Sequence, residues 1–250
     1  MQSTVSTHRK PLRAAVLLAL LALAAPVVVA QLRQDANSKV YPVQAKPYGL
    51  SMSELSAKHW QWVYSLPADH HPLTDTADWS TGQSGKVWFL GGTFAPSEIE
   101  PDVFLGQVER TCSIPAGTAL FFPLVDAEAS TLEGNGTSEG DLRASAEFFA
   151  DFIDPDSLEL EIDGLPVTDL DDTRTQSPLF TFGPLPDNNL LGAPGGSTSR
   201  SVSDGYFVML KPLSVGEHTI HFAGVLDASA INGPIFIQDI TYHITVVPGR

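Results

Sequence analysis

The chain has 250 residues, 43% of them hydrophobic, with 14 Lys+Arg against 29 Asp+Glu and a formal net charge of −15. That acidity repels nucleic acid and anionic lipid, and sets both aside as partners. Cys112 is the only cysteine, so an internal disulfide framework is excluded and stability must come from an apolar core.

His8, Arg9, Lys10 and Arg13 precede an apolar run, Ala14 to Val29, interrupted only by Pro26, and Val28-Val29-Ala30 puts small residues at a cleavage position. This pattern predicts a secretory signal peptide over 1–30 and a secreted, extracellular or periplasmic product with no membrane anchor after cleavage. Residues 1–30 hold three basic and no acidic side chains, so removing them would take the charge from −15 to −18.

Residues 31–50 are polar, carry Pro42 and Pro47, and read as an extended N-terminal arm. Ser51 with Glu54 three residues on is a capping box, and a helix runs from there to Leu66, stopped by Pro67. Met52, Leu55, His59, Trp62, Val63 and Leu66 fall on its apolar face. Trp60 and Tyr64, four apart, are neighbours on the other side. His59 amid apolar residues reads as a hydrogen-bonded core histidine. Asp69-His70-His71-Pro72, Asp75, Asp78 and Trp79 follow in a loop. Lys86 to Leu90, Glu109 to Ile114 and Thr118 to Val125 read as strands, with Pro123 at a bulge or edge and Cys112 as a small buried hydrophobe. Asp126 to Gly140 reads as an acidic loop, and Asp141 to about Ile153 as a second helix with Leu142, Ser145, Phe149, Phe152 and Ile153 on one face.

Beyond Asp154 the alternation of Leu158, Leu160 and Ile162 with Glu159 and Glu161 marks a strand closed by the turn Asp163-Gly164. Pro184 to Val202 is a long Gly/Pro/Asn/Ser loop, read as functional or mobile. Ser203 to Gly224 alternates on both sides of Pro212, Ser214 and Gly216 and predicts a central β-hairpin. Ile235 to Val247 is a last long strand. The expected fold is mainly β: an antiparallel β-sandwich, immunoglobulin-like or jelly-roll in type, with two short helices. Residues 51–153 form the helix-plus-β region and 154–250 the immunoglobulin-like region, the two joined in one sandwich as the alternative.

The motifs Trp60-Gln61-Trp62, Ser65-Leu66-Pro67, His71-Pro72, Gly82-Gln83-Ser84-Gly85, Val87-Trp88-Phe89-Leu90, Arg110-Thr111-Cys112, Pro115-Ala116-Gly117 and Leu120-Phe121-Phe122-Pro123 resemble those of a family of uncharacterised secreted bacterial proteins. Asp204-Gly205-Tyr206 and Pro212-Leu213-Ser214 extend that resemblance. Relatives carry a further cysteine upstream of the Gly-Gln pair; this chain has none there, so no disulfide to Cys112 is implied. The segment Gly216 to Phe222 with Gly224 to Asp227 resembles a late strand of a bacterial immunoglobulin-like domain. Neither resemblance implies an activity.

Chemistry is sparse. Gly82-Gln83-Ser84-Gly85-Lys86 lacks the final glycine of a nucleophile elbow and precedes its strand. There is no HExxH and no nucleotide-binding glycine motif. His218 and His221, three apart in a strand, face opposite ways. Asp126, Glu128 and Ser130 have calcium-loop spacing, but Thr131 and Thr137 stand where an EF-hand needs Gly and Glu. Metal candidates are therefore His70, His71, Asp75, Asp126 and Glu128, with calcium as the candidate ion. The expected function is non-catalytic: binding of an extracellular ligand, a polysaccharide among the candidates, through exposed Trp60, Tyr64 and Trp79. The alternatives are a carbohydrate-active hydrolase or lyase using Asp126, Glu128 and His71, and an extracellular structural subunit donating its N-terminal arm to a neighbour.

Overall fold

The computed structural model describes residues 36–249; the predicted signal peptide and the first residues of the arm lie outside them. Two sheets form a sandwich-like body. We number the strands β1 (Val87–Phe89), β2 (Ser97–Glu100), β3 (Val103–Pro115), β4 (Ala119–Ser130), β5 (Ile153–Ile162), β6 (Leu165–Pro166), β7 (Arg174–Gln176), β8 (Phe180–Phe182), β9 (Ser199–Leu210), β10 (Gly216–Asp227) and β11 (Ile235–Val247). Among the described residues the two long helices are α1 (Met52–Ser65) and α2 (Glu139–Ala150).

One sheet has the order β1-β4-β9-β7, with β8 also pairing β9; the other runs β2-β3-β11-β10-β5-β6. Both draw strands from either side of residue 154. Antiparallel pairing dominates, but β1 lies parallel to β4 and β11 parallel to β3, so the sheets are mixed. Phe122 of β4 stacks on Phe222 of β10 with ring centroids 4.9 Å apart, which ties the two sheets face to face, and Phe222 in turn stacks on Tyr242 of the neighbouring strand β11 at 6.1 Å.

Ser203 to Gly224 is not a hairpin. β9 belongs to the first sheet and β10 to the second, so residues 211–215 cross from one layer to the other. The alternation identified the strands but not their partners. β9 is buried at nearly every position: Phe207 and Met209 pack with Met52 and Leu55 of α1, while Val208 and Leu210 join the main core. A strand covered on both faces carries no polar side from which register could be read.

The Ser51/Glu54 capping box is present. The second helix starts earlier than its pattern suggested, because Ser138 caps it in a second box with Asp141. It ends at Ala150, buries Leu142, Ala146 and Ala150, and leaves Phe149 outside. The described part of the arm pairs with its own sheet: Tyr41 N–H donates to Met209 C=O at 2.8 Å, and Lys211 N–H to Lys39 C=O at 2.7 Å. That cis pairing counts against a donated strand. Among the described residues, no helix is long and apolar enough to cross a membrane.

Candidate functional site

β1 pairs only with Ala119 to Phe121 of β4. Beyond that point the chain leaves the sheet through Leu90, Gly91 and Gly92, and among the described residues the upper half of β4 has no neighbouring strand on that side. The strand also bulges there: its register against β9 shifts between Pro123 and Val125, as Pro123 predicts. A cavity of about 460 Å³ fills the gap, within the usual range for small-molecule sites. Val125, Asp126, Ala127 and Glu128 all line it. Consecutive residues of a strand point to opposite faces, so all four reach one cavity only because it sits at the strand's edge. Asp126 and Glu128 are therefore strand residues, not part of an acidic loop.

α1 supplies the floor. Trp60 Nε1–H donates to Asp126 Oδ2 at 2.7 Å, and the Tyr64 hydroxyl donates to Glu128 Oε2 at 2.9 Å. Four helical residues rise about 6 Å and two strand residues about 6.8 Å. A donor pair at i, i+4 on α1 thus matches an acceptor pair at i, i+2 on β4. The two rings lie 5.2 Å apart, and Tyr64 packs on Phe182 at 4.3 Å.

Burial pushes the Asp126 carboxyl up to about 7; the Trp60 bond opposes the shift and nearby Asp204 adds to it. Burial also raises Glu128 far above the usual carboxylate range, and neighbouring Glu133 raises it further. Glu128 Oε1 meets the Ser201 hydroxyl, which also reaches Ala129 C=O at 3.1 Å. A single hydroxyl hydrogen serves one of these contacts, so a proton on Glu128 satisfies the other. Asp126 Oδ1, by contrast, has no hydrogen-bond partner among the described residues.

His59 is buried in the cavity wall, where burial lowers its pKa to about 4 and keeps it neutral. Its Nε2 lies 3.0 Å from Leu90 C=O. A carbonyl only accepts, so Nε2 carries the hydrogen and Nδ1 is a bare acceptor; it is buried and unpartnered. Gly91 and Gly92 form the adjacent wall. A Cβ on Gly92 would stand 1.5 Å from Gln238 Oε1, so only glycine lets Gln238 reach Leu124 C=O, to which its amide donates at 2.6 Å.

Arg110 of β3 holds those glycines in place. Its Nε and Nη2 bind both oxygens of Asp75, at 2.6 and 3.1 Å. Its Nη1 donates to Gly91 C=O at 3.1 Å and Gly92 C=O at 2.8 Å. The guanidinium lies 5.1 Å from the ring centre of Trp79 and 5.7 Å from that of Tyr242.

These contacts correct several expectations. Trp60, Tyr64 and Trp79 are 9, 3 and 5% exposed and cannot form a surface platform. Of the exposed aromatics, Phe94 (42%), Phe149 (36%) and Phe236 (42%) rim the cavity with Ile231. His71 is remote from the carboxyl pair in contacts: its Nε2 bonds to Val63 C=O at 2.9 Å and its Nδ1 accepts from Leu73 N–H at 3.0 Å. His70 is exposed, and Asp75 is engaged by Arg110. Among the described residues no three His, Cys, Asp or Glu side chains group as a metal site, so the five metal candidates do not converge. The long loop before β9 does not line the cavity. Cys112 is buried, its thiol pushed up to about 12 by that burial.

No family model matches this chain. No curated protein matches it either. Among solved structures, it is similar to the cysteine protease inhibitor EhICP2 from Entamoeba histolytica, at 15% identity over 64% of this chain and 96% of that one, with a TM-score of 0.22. An overlap that loose carries no argument about activity.

Proposed function

We propose that this protein is a non-catalytic binding protein that takes a small, predominantly apolar molecule into the cavity beside β4. The observation that carries the reading is the combination of a half-open apolar cavity of about 460 Å³ with an exposed aromatic rim, Phe94, Phe149 and Phe236, around its mouth. Soluble proteins rarely leave large apolar side chains grouped on the surface without a use for them. The pattern of residues 1–30 supports a site of action outside the cytoplasm.

A hydrolytic role is less well supported. A glycosidase works with one carboxyl ionised as base or nucleophile and the other protonated as acid. Here Glu128 is saturated by hydrogen bonds, the candidate histidine His71 is bonded elsewhere, and the apolar walls suit a sugar poorly.

Titration with N-phenyl-1-naphthylamine, a dye that brightens in apolar sites, tests the proposal. One dye should bind per chain, and Ala127→Phe, which places a ring in the cavity, should weaken binding at least tenfold. Absence of dye binding, or an unchanged affinity in A127F, would overturn it.

A further inference from the structure

The side chains lining the cavity supply hydrogen-bond acceptors and are short of donors. Trp60 Nε1–H is committed to Asp126 Oδ2, His59 Nε2–H to Leu90 C=O, and one amide hydrogen of Gln238 to Leu124 C=O. The Thr93 hydroxyl is within 3.4 Å of Leu73 C=O. The acceptors are less committed. Asp126 Oδ1 and Gln238 Oε1 have no partner among the described residues, and His59 Nδ1 is buried without one. Among the described residues no Lys or Arg lines the cavity. Aromatic side chains do, among them Trp60, Phe94 and Phe236, and aromatic rings attract cations to their faces.

An alkylammonium group has three donors and no acceptor, the complement of this inventory. The formal charge of −15 draws cations toward the molecule. We infer that the natural ligand is an apolar amine, bound as its ammonium ion with Asp126 as counter-ion and Gln238 Oε1 as a further acceptor in the wall. This rests on the binding reading above and gives the ligand its chemical class.

The charged and titratable groups around Asp126 agree with this assignment. From α1 it faces Trp60 and Tyr64, both neutral, with His59 neutral beside them. Within β4 and its following turn lie Glu128 and Glu133. From β9 comes Asp204, which Arg174 neutralises through a 3.0 Å ion pair; Arg174 also binds Asp151 at 2.7 Å. Among the described residues no cation is left to pair with an ionised Asp126. A bound ammonium would supply one and hold the carboxyl ionised, so binding below neutral pH should expel a proton.

Isothermal titration of the full chain with decylamine and with decanol tests the inference. At pH 8 decylamine should bind at least thirtyfold more tightly than decanol. In Asp126→Asn, which keeps an acceptor for Trp60, the two affinities should come within threefold of each other. At pH 5.5, titrations in buffers of different ionisation enthalpy should report release of close to one proton per amine bound, falling toward zero at pH 8.5. Asp126→Ser, in which the carboxyl is also lost, should repeat the levelling if D126N folds poorly. Equal affinity for amine and alcohol, or an amine preference that survives in both variants, would overturn the amine assignment and leave the apolar site standing. Failure of decylamine, decanol and the naphthylamine dye alike would remove both.

Discussion

Asparagine in place of Asp126 preserves an acceptor for the Trp60 indole and deletes one ionisation. The folded-state carboxyl titrates at about 7, well above an unfolded aspartate at about 4. A pKa raised by folding means that the unfolded chain gives up its proton first. The group's contribution is therefore fully present below pH ~4 and is lost as pH rises through ~7. Without ligand, the native protein should lose on the order of 2–4 kcal/mol relative to D126N between pH 4 and 8. Urea unfolding at intervals across that range measures it, and parallel profiles for the two proteins would show that Asp126 is not the titrating group. Tyr64→Phe makes a separate point. It strips Glu128 Oε2 of its donor inside the protein and should lower stability by about 1–2 kcal/mol, with little dependence on pH below 8, where Glu128 stays protonated. Both pairs were visible in the sequence, Trp60/Tyr64 by helical spacing and Asp126/Glu128 by strand spacing. That they meet was not. The match depends on α1 running alongside β4 in one register, which no local pattern encodes.

At the scale of elements, β9 shows where sequence periodicity stops being informative. Ser203 to Leu210 reads as one arm of a hairpin because alternation and a proline-containing connection are what a hairpin looks like. The same features serve a strand that hands the chain to the opposite sheet, and the choice is made by what covers each face. Capping boxes at Ser51 and Ser138 are local, so both helix starts are written in the chain, although the second lies in a stretch whose periodicity suggested a later start. The bulge at Pro123 was legible for the same reason: a residue without an N–H cannot stay in a regular ladder. What the bulge does, turning Asp126 and Glu128 toward α1, depends on Gly205 opposite. A Cβ at Gly205 would stand 2.4 Å from Asp126 Cα and 2.7 Å from Val125 C=O, and those are backbone atoms that cannot swing aside. Gly205→Ala should destabilise the protein by about 2–4 kcal/mol and weaken dye binding by displacing the carboxyl pair. Gly117→Ala is the control for glycine replacement itself, since its added Cβ meets nothing within 4 Å and only its positive φ of 82° resists the change. Equal losses at the two positions would mean that the contact with β4 is unimportant.

Across the whole molecule, the cavity depends on a clamp that touches neither its rim nor its carboxyls. Arg110 in β3, Tyr242 in β11, Asp75 in the loop after α1 and the Gly91-Gly92 turn after β1 come from separate parts of the chain and converge on one guanidinium. The Tyr242 hydroxyl donates to Gly91 C=O at 2.7 Å and lies 3.1 Å from Arg110 Nη1, so the edge of the first sheet is fastened to the centre of the second. A lysine keeps the charge at position 110. It cannot bind Asp75 through two parallel bonds while also reaching two carbonyls and a hydroxyl, because its donors radiate from one atom. Arg110→Lys should therefore leave buried polar groups of the clamp unpaired and cost about 2–4 kcal/mol of stability. It should also weaken dye binding several-fold, because the Gly91-Gly92 wall is no longer fixed against Gln238. Lys39→Ala offers the comparison. It removes a half-exposed ion pair to Asp163 of 3.0 Å, expected to matter by no more than about 1 kcal/mol, and it lies on the arm away from the cavity lining. If R110K lost stability yet bound dye as tightly as the native chain, Arg110 would hold the two sheets together without shaping the site. If R110K lost neither stability nor binding, the clamp would be a contact without consequence, and the cavity wall would have to owe its position to the packing of Leu73 and Gln238 alone.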